Sequence, residues 1–267
     1  MTYRAKSTVD TIVAKQMEKQ PVYDFVSEDG IGHTVWVIED AKVIDNLCAE
    51  FAQVEDLYIA DGHHRSASAV KVGLQRRKEN PAAGADAEFN FFLSVIFPDR
   101  DLYIMDYNRL VKDLNGLTQD AFMAAVEEKF TVTPYAGTDY KPSEKHTFGM
   151  YLEGKWYILE AKPGTFDPAD PVGQLDVSIL QSNLLSPILA IGDPRTDKRI
   201  DFVGGIRGMQ ALSGPVDAGA MAVAFSMYPT TMDDLMDIAD AGAIMPPKST
   251  WFEPKLRSGL FIHKLSE

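Results

Sequence analysis

Apolar positions at helical spacing mark the first element: Ile12, Val13 and Met17 fall within 9–19, which Pro21 ends. Two short apolar runs, 22–26 and 33–38, flank Glu28-Asp29-Gly30, and its Asp-Gly pair predicts a hairpin turn. Asp40 is placed to cap a helix whose apolar positions Val43, Ile44, Leu47 and Phe51 keep the helical period. A short apolar strand over 57–60 then runs straight into Asp61-Gly62 and a helix to about 78, and 80–84 reads as a loop. Runs at 91–97 and 102–107 predict paired strands around Pro98-Asp99-Arg100-Asp101. A helix is expected at 118–129. A hairpin of 147–152 with 155–161 is expected around Glu153-Gly154, with Trp156 inside it. Pro171 suits the first turn of a long helix over 171–189. Strands follow at 200–203, 221–227 and 259–265, with helices near 209–212 and 231–240. The irregular interleaving and the hairpins predict an α+β fold of mixed, mostly antiparallel sheets with flanking helices, in one unit over 1–267.

Composition narrows the function classes. The 267 residues carry 26 Lys+Arg against 39 Asp+Glu, a net charge of −13, which opposes unspecific nucleic-acid binding but leaves room for a small anionic ligand on a few local cations. At 45% apolar and 24% charged the chain is ordinary globular material, not a disordered one. No apolar run is long enough to span a bilayer, and no apolar stretch of a secretory signal follows Met1. Cys48 stands alone, so no intramolecular disulfide forms and a reducing compartment fits better. The expected setting is the cytoplasm, with no nucleic-acid or membrane partner and the oligomeric state left open.

The sharpest chemical signal is Asp61-Gly62-His63-His64-Arg65 at a strand-to-helix turn. A helix opening there leaves its first N–H groups unpaired, which makes an anion site. Gly62 permits the tight turn, Arg65 offers a bidentate phosphate partner, and His63 and His64 supply donors or acid–base groups near neutral pH. The structural alternative gives His63 a place on a core face with Ala67, Val70 and Leu74, and makes Asp61 an ordinary N-cap. His64 shares the wet face with Ser68, Lys71 and Gln75. Four polar groups crowded at one switch point favour function. As metal ligands, Asp61, His63 and His64 are awkward, because adjacent helical residues point about 100° apart. Magnesium accompanying a nucleotide, with Asp61 as ligand, suits them better than zinc.

A second signal is 245–259, which gathers Lys248, Ser249, Thr250, Lys255 and Arg257 behind paired prolines, with Trp251-Phe252 as an anchor. Lys248, Ser249, Thr250 and Arg257 are candidates to hold a phosphate, although the Gly-rich run of a P-loop is absent. The alternative is an aromatic-anchored surface loop. A third, weaker signal is Gly204-Gly205-Ile206-Arg207-Gly208, where the glycines allow a ligand close to the backbone and Arg207 supplies a cation. Its spacing is not that of a dinucleotide-binding turn. Asp193, Arg195, Asp197 and Arg199 read as surface charges that pair with one another. Asp176, inside an apolar helical stretch, and Asp106, after a strand, are candidate buried acids. No nucleophile elbow is present, and Cys48 lacks the surroundings of a thiol protease.

Ile59-Ala60-Asp61-Gly62-His63-His64-Arg65, Asn90-Phe91-Phe92, Asp106-Tyr107-Asn108-Arg109, 176–181, 201–205 and Met245-Pro246-Pro247-Lys248-Ser249-Thr250 together resemble the bacterial and archaeal family called domain of unknown function one-thousand-and-fifteen. The resemblance spans about 23–263 and implies a longer protein, with a preceding portion carrying a His-Glu-containing motif, of which this chain is the C-terminal part. Asp61–Arg65 is also similar to the phosphate-binding turn of the ParB and sulfiredoxin superfamily. That similarity implies nucleotide hydrolysis or small-molecule kinase activity, including phosphorylation of free serine. Here His63-His64 stand where the partitioning proteins carry acidic or amide residues. The expectation is therefore a nucleotide-dependent phosphotransferase or nucleotidase acting on a small metabolite, with magnesium and ATP, ADP or CTP as cofactors. Gly62 and Arg65 would hold the polyphosphate, aided by Lys248, Ser249, Thr250, Arg207 and Arg257, with His63, His64 and Asp61 catalytic. The rivals are a non-catalytic sensor of a nucleotide or phosphorylated metabolite, and a metal-dependent hydrolase using His63, His64 and Asp61.

Overall fold

The computed structural model describes residues 1–253 and 255–265. The chain divides into two compact units, 1–102 with 257–267 and 103–256.

The first unit contains β1 (Thr2–Tyr3), α1 (Ser7–Met17), β2 (Tyr23–Val26), β3 (Gly32–Val35), α2 (Ala41–Phe51), α3 (His63–Glu79) and β4 (Phe97–Pro98). The expected hairpin forms from β2 and β3, antiparallel, with Gly30 at φ 80° in its turn. Asp40 caps α2 by accepting the Lys42 N–H at 2.9 Å. Three expectations fail here. The run 57–60 forms only one bridge, Tyr58 to Thr2. The run 91–97 contributes only its last residue to β4, which pairs in parallel with β1 rather than with 102–107. No strand forms over 259–265. Apolar runs predict strands only where a partner edge exists, and none is offered to most of 57–60 or 91–96.

The second unit contains β5 (Tyr103–Met105), β6 (Tyr107–Val111), α4 (Gln119–Lys129), β7 (Phe130–Tyr135), β8 (Thr147–Leu152), β9 (Lys155–Ala161), α5 (Asp176–Leu180), β10 (Ile200–Gly204), α6 (Gln210–Asp217), β11 (Val223–Met227), α7 (Met232–Asp240) and β12 (Trp251–Glu253). Its six-stranded sheet runs β10-β6-β11-β8-β9-β7 with every neighbouring pair antiparallel. Alternation along the strands gives the sheet two packed faces. Val111, Phe148, Met150, Leu152, Val223, Phe225 and Met227 join a core with Phe122 and Val126 of α4 and Ile179 and Leu180 of α5. Leu110, Tyr151, Ala224 and Val203 pack with Leu212 of α6. The fold is thus α+β, with mostly antiparallel sheets and flanking helices.

The 147–161 hairpin forms as read, its turn made by Glu153 at φ 47° and Gly154 at φ 76°. The long helix over 171–189 does not. Asp170 Oδ1 accepts the Val172 N–H at 2.9 Å in a local turn, and helix starts only at Asp176. From Gln181 to Leu185 the coil widens into a π turn, with Ser186 N–H bonded to the Gln181 carbonyl at 2.9 Å. β5 pairs with β12, so 102–107 divides between two sheets.

Candidate functional site

In the first unit, Gly62 occupies the left-handed region at φ 82°, ψ 29° and opens α3. That backbone is natural only to glycine and turns the chain directly into the helix. The first helical bond is Ser66 N–H to Gly62 carbonyl at 2.9 Å. The N–H groups of His63, His64 and Arg65 have no protein acceptor among the described residues. Asp61 is not the N-cap: its Oδ1 accepts the Gly62 N–H at 2.8 Å, before the helix begins. Arg65 folds back over the turn, so that a Cβ on Gly62 would lie 2.9 Å from its Nη2. It also faces Asp61 at 3.9 Å, an exposed pair that contributes little to stability.

The core-face alternative for His63 does not hold. Val70 is 53% and Leu74 58% exposed, Ala67 is exposed, and α3 buries only Gly73, which lies against the Phe89 carbonyl. His63 and His64 are both exposed, as are Ser68, Lys71 and Gln75.

The second unit brings the other two motifs together with Asp106–Arg109. Gly204 lies against the Trp251 ring, where a Cβ would come within 2.8 Å, and Gly205 against the Asp106 carboxylate, where it would come within 2.2 Å. Asp106 is a buried acid, as its position suggested: it is 2% exposed. It accepts from Asn108 Nδ2 at 2.6 Å and faces Lys141 Nζ at 2.7 Å. Its backbone carbonyl accepts the Gly205 N–H at 2.8 Å. Arg207 is exposed beside Gly208, with no ion pair among the described residues.

Lys248 is also exposed, its backbone at φ 58°. Its Nζ stands 5.7 Å from the Tyr107 ring centroid and 5.6 Å from that of Phe202. Ser249 turns inward, buried, with its hydroxyl donating to the Pro246 carbonyl. That commitment removes it from the phosphate donors expected of this loop, whereas Thr250 has no side-chain partner among the described residues. Arg257 belongs to the first unit, where it pairs with Asp29 of the hairpin turn.

Sequence spacing alone gives Arg109 and Tyr107 no role. Arg109 is only 4% exposed on a central strand, and burial pushes its pKa down to about 10. Asp176, the other suspected buried acid, is 7% exposed, and its pKa is pushed up to about 7, chiefly by burial. As expected, Arg195 pairs with Asp193 at 2.8 Å and Arg199 with Asp197 at 3.0 Å.

For a metal, the donor set is thin. No group of three or more His, Cys, Asp or Glu residues converges among the described residues, which does not fit a protein-held zinc site. A magnesium ion held largely by phosphate oxygens and water needs only one or two carboxylates, which Asp61 can supply. No helix of the described residues is long and apolar enough to cross a membrane.

These features define a mixed α+β protein with a glycine-opened helix start in one unit and a cation-bearing, aromatic-lined cluster in the other. The chain belongs to the family described as Protein of unknown function (DUF1015), whose profile matches residues 1–178. Asp61–Arg65 and Asp106–Arg109 lie inside that stretch, whereas Arg207 and Lys248 lie beyond it. No curated protein matches the chain.

Among solved structures, the chain is similar to a conserved hypothetical protein from Pyrococcus furiosus, at 13% identity over 94% of this chain and 85% of that one, with a TM-score of 0.38. It is similar to a free serine kinase in complex with AMP at 14% identity over 94% and 81%, TM-score 0.38. A variant of a free serine kinase in complex with ADP matches at 16% identity over 72% and 66%, TM-score 0.38.

Proposed function

We propose that the protein is a nucleotide-dependent phosphotransferase or nucleotidase acting on a small metabolite. The observation that carries this reading is the start of α3, where three N–H groups have no protein acceptor among the described residues and the Arg65 side chain lies against Gly62. Such a turn suits a polyphosphate, because helix-terminal N–H groups and a forked cation both match anionic oxygens. Phosphoryl transfer asks the protein mainly for positioning and charge stabilisation, and this turn offers both. His63 and His64 are the proton carriers in this reading, since Asp61 is engaged by the Gly62 N–H and faces Arg65. Asp61 would hold the magnesium that accompanies a nucleotide, and that ion would neutralise phosphate charge. In its finer form the reading is serine-kinase-like chemistry, which is what the sequence resemblance of Asp61–Arg65 to the phosphate-binding turn of the ParB and sulfiredoxin superfamily implies. In the second unit, Lys248, Thr250 and Arg207 are proposed to hold an anionic group.

A sensor that binds without turnover is the second reading. It is favoured by the engagement of Asp61, which leaves exposed imidazoles as the acid–base groups not already held there. The two readings share one binding test. A thermal-shift panel of ATP, ADP and CTP with and without magnesium should raise the melting temperature of the wild-type chain, by ligation equivalent to about 2.7 kcal/mol at a hundredfold excess over Kd. Arg65→Ala should lose that shift while keeping its unliganded melting temperature. An unchanged shift in the variant would remove Arg65 from the site, and absence of any shift in the wild type would retire the nucleotide. Turnover of nucleotide with small acceptors such as serine then separates transferase from sensor.

A further inference from the structure

Arg109 is a cation buried on β6, in a protein of net charge −13, yet no carboxylate pairs with it among the described residues. Its side chain donates instead to two backbone carbonyls, that of Tyr107 and, at 3.0 Å, that of Lys248, 139 residues away in sequence. Register places Phe225 of β11 on one side of it and Phe202 of β10 on the other. The Phe202 ring centroid lies 5.5 Å from the guanidinium carbon. Neutral acceptors and a ring face compensate a buried charge less well than a carboxylate does. Such a residue is costly to the fold, and its clearest consequence is the placement of Lys248.

The Lys248 backbone sits at φ 58°, in a region where a side-chain-bearing residue is strained and must be held by its surroundings. Arg109 holds the Lys248 carbonyl, and the Thr230 hydroxyl donates to the Ser249 carbonyl at 3.1 Å. Fixed in this way, the ammonium faces both the Tyr107 and Phe202 rings and lies 3.5 Å from the Tyr107 hydroxyl. The rings orient the ammonium without neutralising it, so its charge is left for a ligand.

We infer that Arg109 is a positioning residue that sets the Lys248 ammonium beside the Tyr107 hydroxyl, so that these two donors form a preorganised recognition element for a tetrahedral oxyanion such as a phosphoryl group. The inference rests on the assignment of Lys248 to anion binding made above, and adds to it Tyr107 as a contacting donor. Arg109 acts through Lys248 and does not touch the ligand.

The test uses the full chain, inorganic phosphate as the probe in calorimetric titration, and a spectroscopic signature of Lys248. Lys248→Met comes first: undiminished phosphate affinity would overturn the role of Lys248 and the inference with it. With that role standing, Arg109→Met should weaken phosphate binding about tenfold because the Lys248 carbonyl is no longer held, and Tyr107→Phe about tenfold by loss of its own hydrogen bond to a charged group. Reductive methylation with 13C-formaldehyde gives each lysine its own methyl signal, and the Lys248 signal is the one lost in Lys248→Met. In the wild type it should lie upfield, shifted by the two ring faces, and in Arg109→Met it should return to the position of exposed lysines. Weaker binding with an unmoved Lys248 signal, or a moved signal with undiminished affinity, would overturn positioning by Arg109 while leaving Lys248 an anion ligand. If Arg109→Met fails to fold, Arg109→Lys, with fewer donors, should show part of the same shift. The wild-type spectrum alone also decides, since an unshifted Lys248 signal contradicts the placement.

Discussion

Asp176→Asn should change how the stability of the protein depends on pH. Asp176 is the first residue of α5, 7% exposed, and its Oδ1 accepts the His146 N–H at 2.6 Å. The charges that face it are Lys145, whose Nζ is 2.6 Å from Asp234 Oδ1, and Asp234 itself, which closes the capping box of α7; the His146 ring packs on Phe166, 4.2 Å between centroids. Burial is the largest influence and raises the pKa. The backbone N–H groups of His146 and Asp176 and the charge of Lys145 lower it, Asp234 raises it again, and the result is about 7 against an ordinary 3.8. The folded protein therefore keeps a proton that the unfolded chain gives up. Between those two values the native state binds more protons, so stability is fully present below about pH 4 and falls as pH rises towards 7. A shift of about three units at 1.36 kcal/mol each sets the loss at about 4 kcal/mol. Asparagine keeps an oxygen to accept the His146 N–H but does not ionise. The assay is urea unfolding of wild type and variant at a series of pH values from 4 to 8, where the difference between the two cancels every other titration. The variant should match or trail the wild type at acid pH and exceed it by several kcal/mol at pH 8. Parallel stability curves would refute the raised pKa and the dry environment that causes it.

Two further substitutions test local claims. Gly62→Ala places a Cβ at φ 82° and 2.9 Å from the Arg65 side chain, so it should cost about 1–2 kcal/mol in unfolding experiments and weaken ATP binding, with no loss of helix content by circular dichroism. Thr231→Ala removes the hydroxyl that accepts the Asp234 N–H at 3.1 Å and breaks the capping box of α7; a loss of about 1 kcal/mol is expected from denaturant titration.

What the sequence discloses well is chemistry settled within a few residues. Asp40 caps its helix where its spacing to apolar positions says it should, and Glu153-Gly154 makes its hairpin because Gly154 takes its left-handed position in the turn without a side chain. The burial of Asp176 was legible for the same reason, since an acid amid Leu175, Val177, Ile179 and Leu180 has little water to face. The errors lie where a distant partner decides. Tyr103–Met105 was paired with the wrong run because its true partner, Trp251–Glu253, is far along the chain, and a strand run carries no mark of its register. The 171–189 stretch kept an apolar period, but Asp167 and Asp170 accept backbone N–H groups of Ala169 and Val172, and these local turns outcompete helix until Asp176. The candidate sites divide along the same line. The Asp61–Arg65 turn could be read at once, since one glycine and the helix start behind it make its geometry. The Lys248 cluster could be read only as a basic loop. Arg109 shares one strand face with Tyr107 and Val111, and that local pattern alone does not tell a buried arginine from one whose head reaches solvent at a sheet edge. Only the register that sets Phe202 and Phe225 opposite it, and the return of the chain at Lys248, turn that position into a buried clamp. A charge placed in a core by long-range pairing leaves no local signature, so the residues that organise a site are harder to read than the exposed ones that face its ligand.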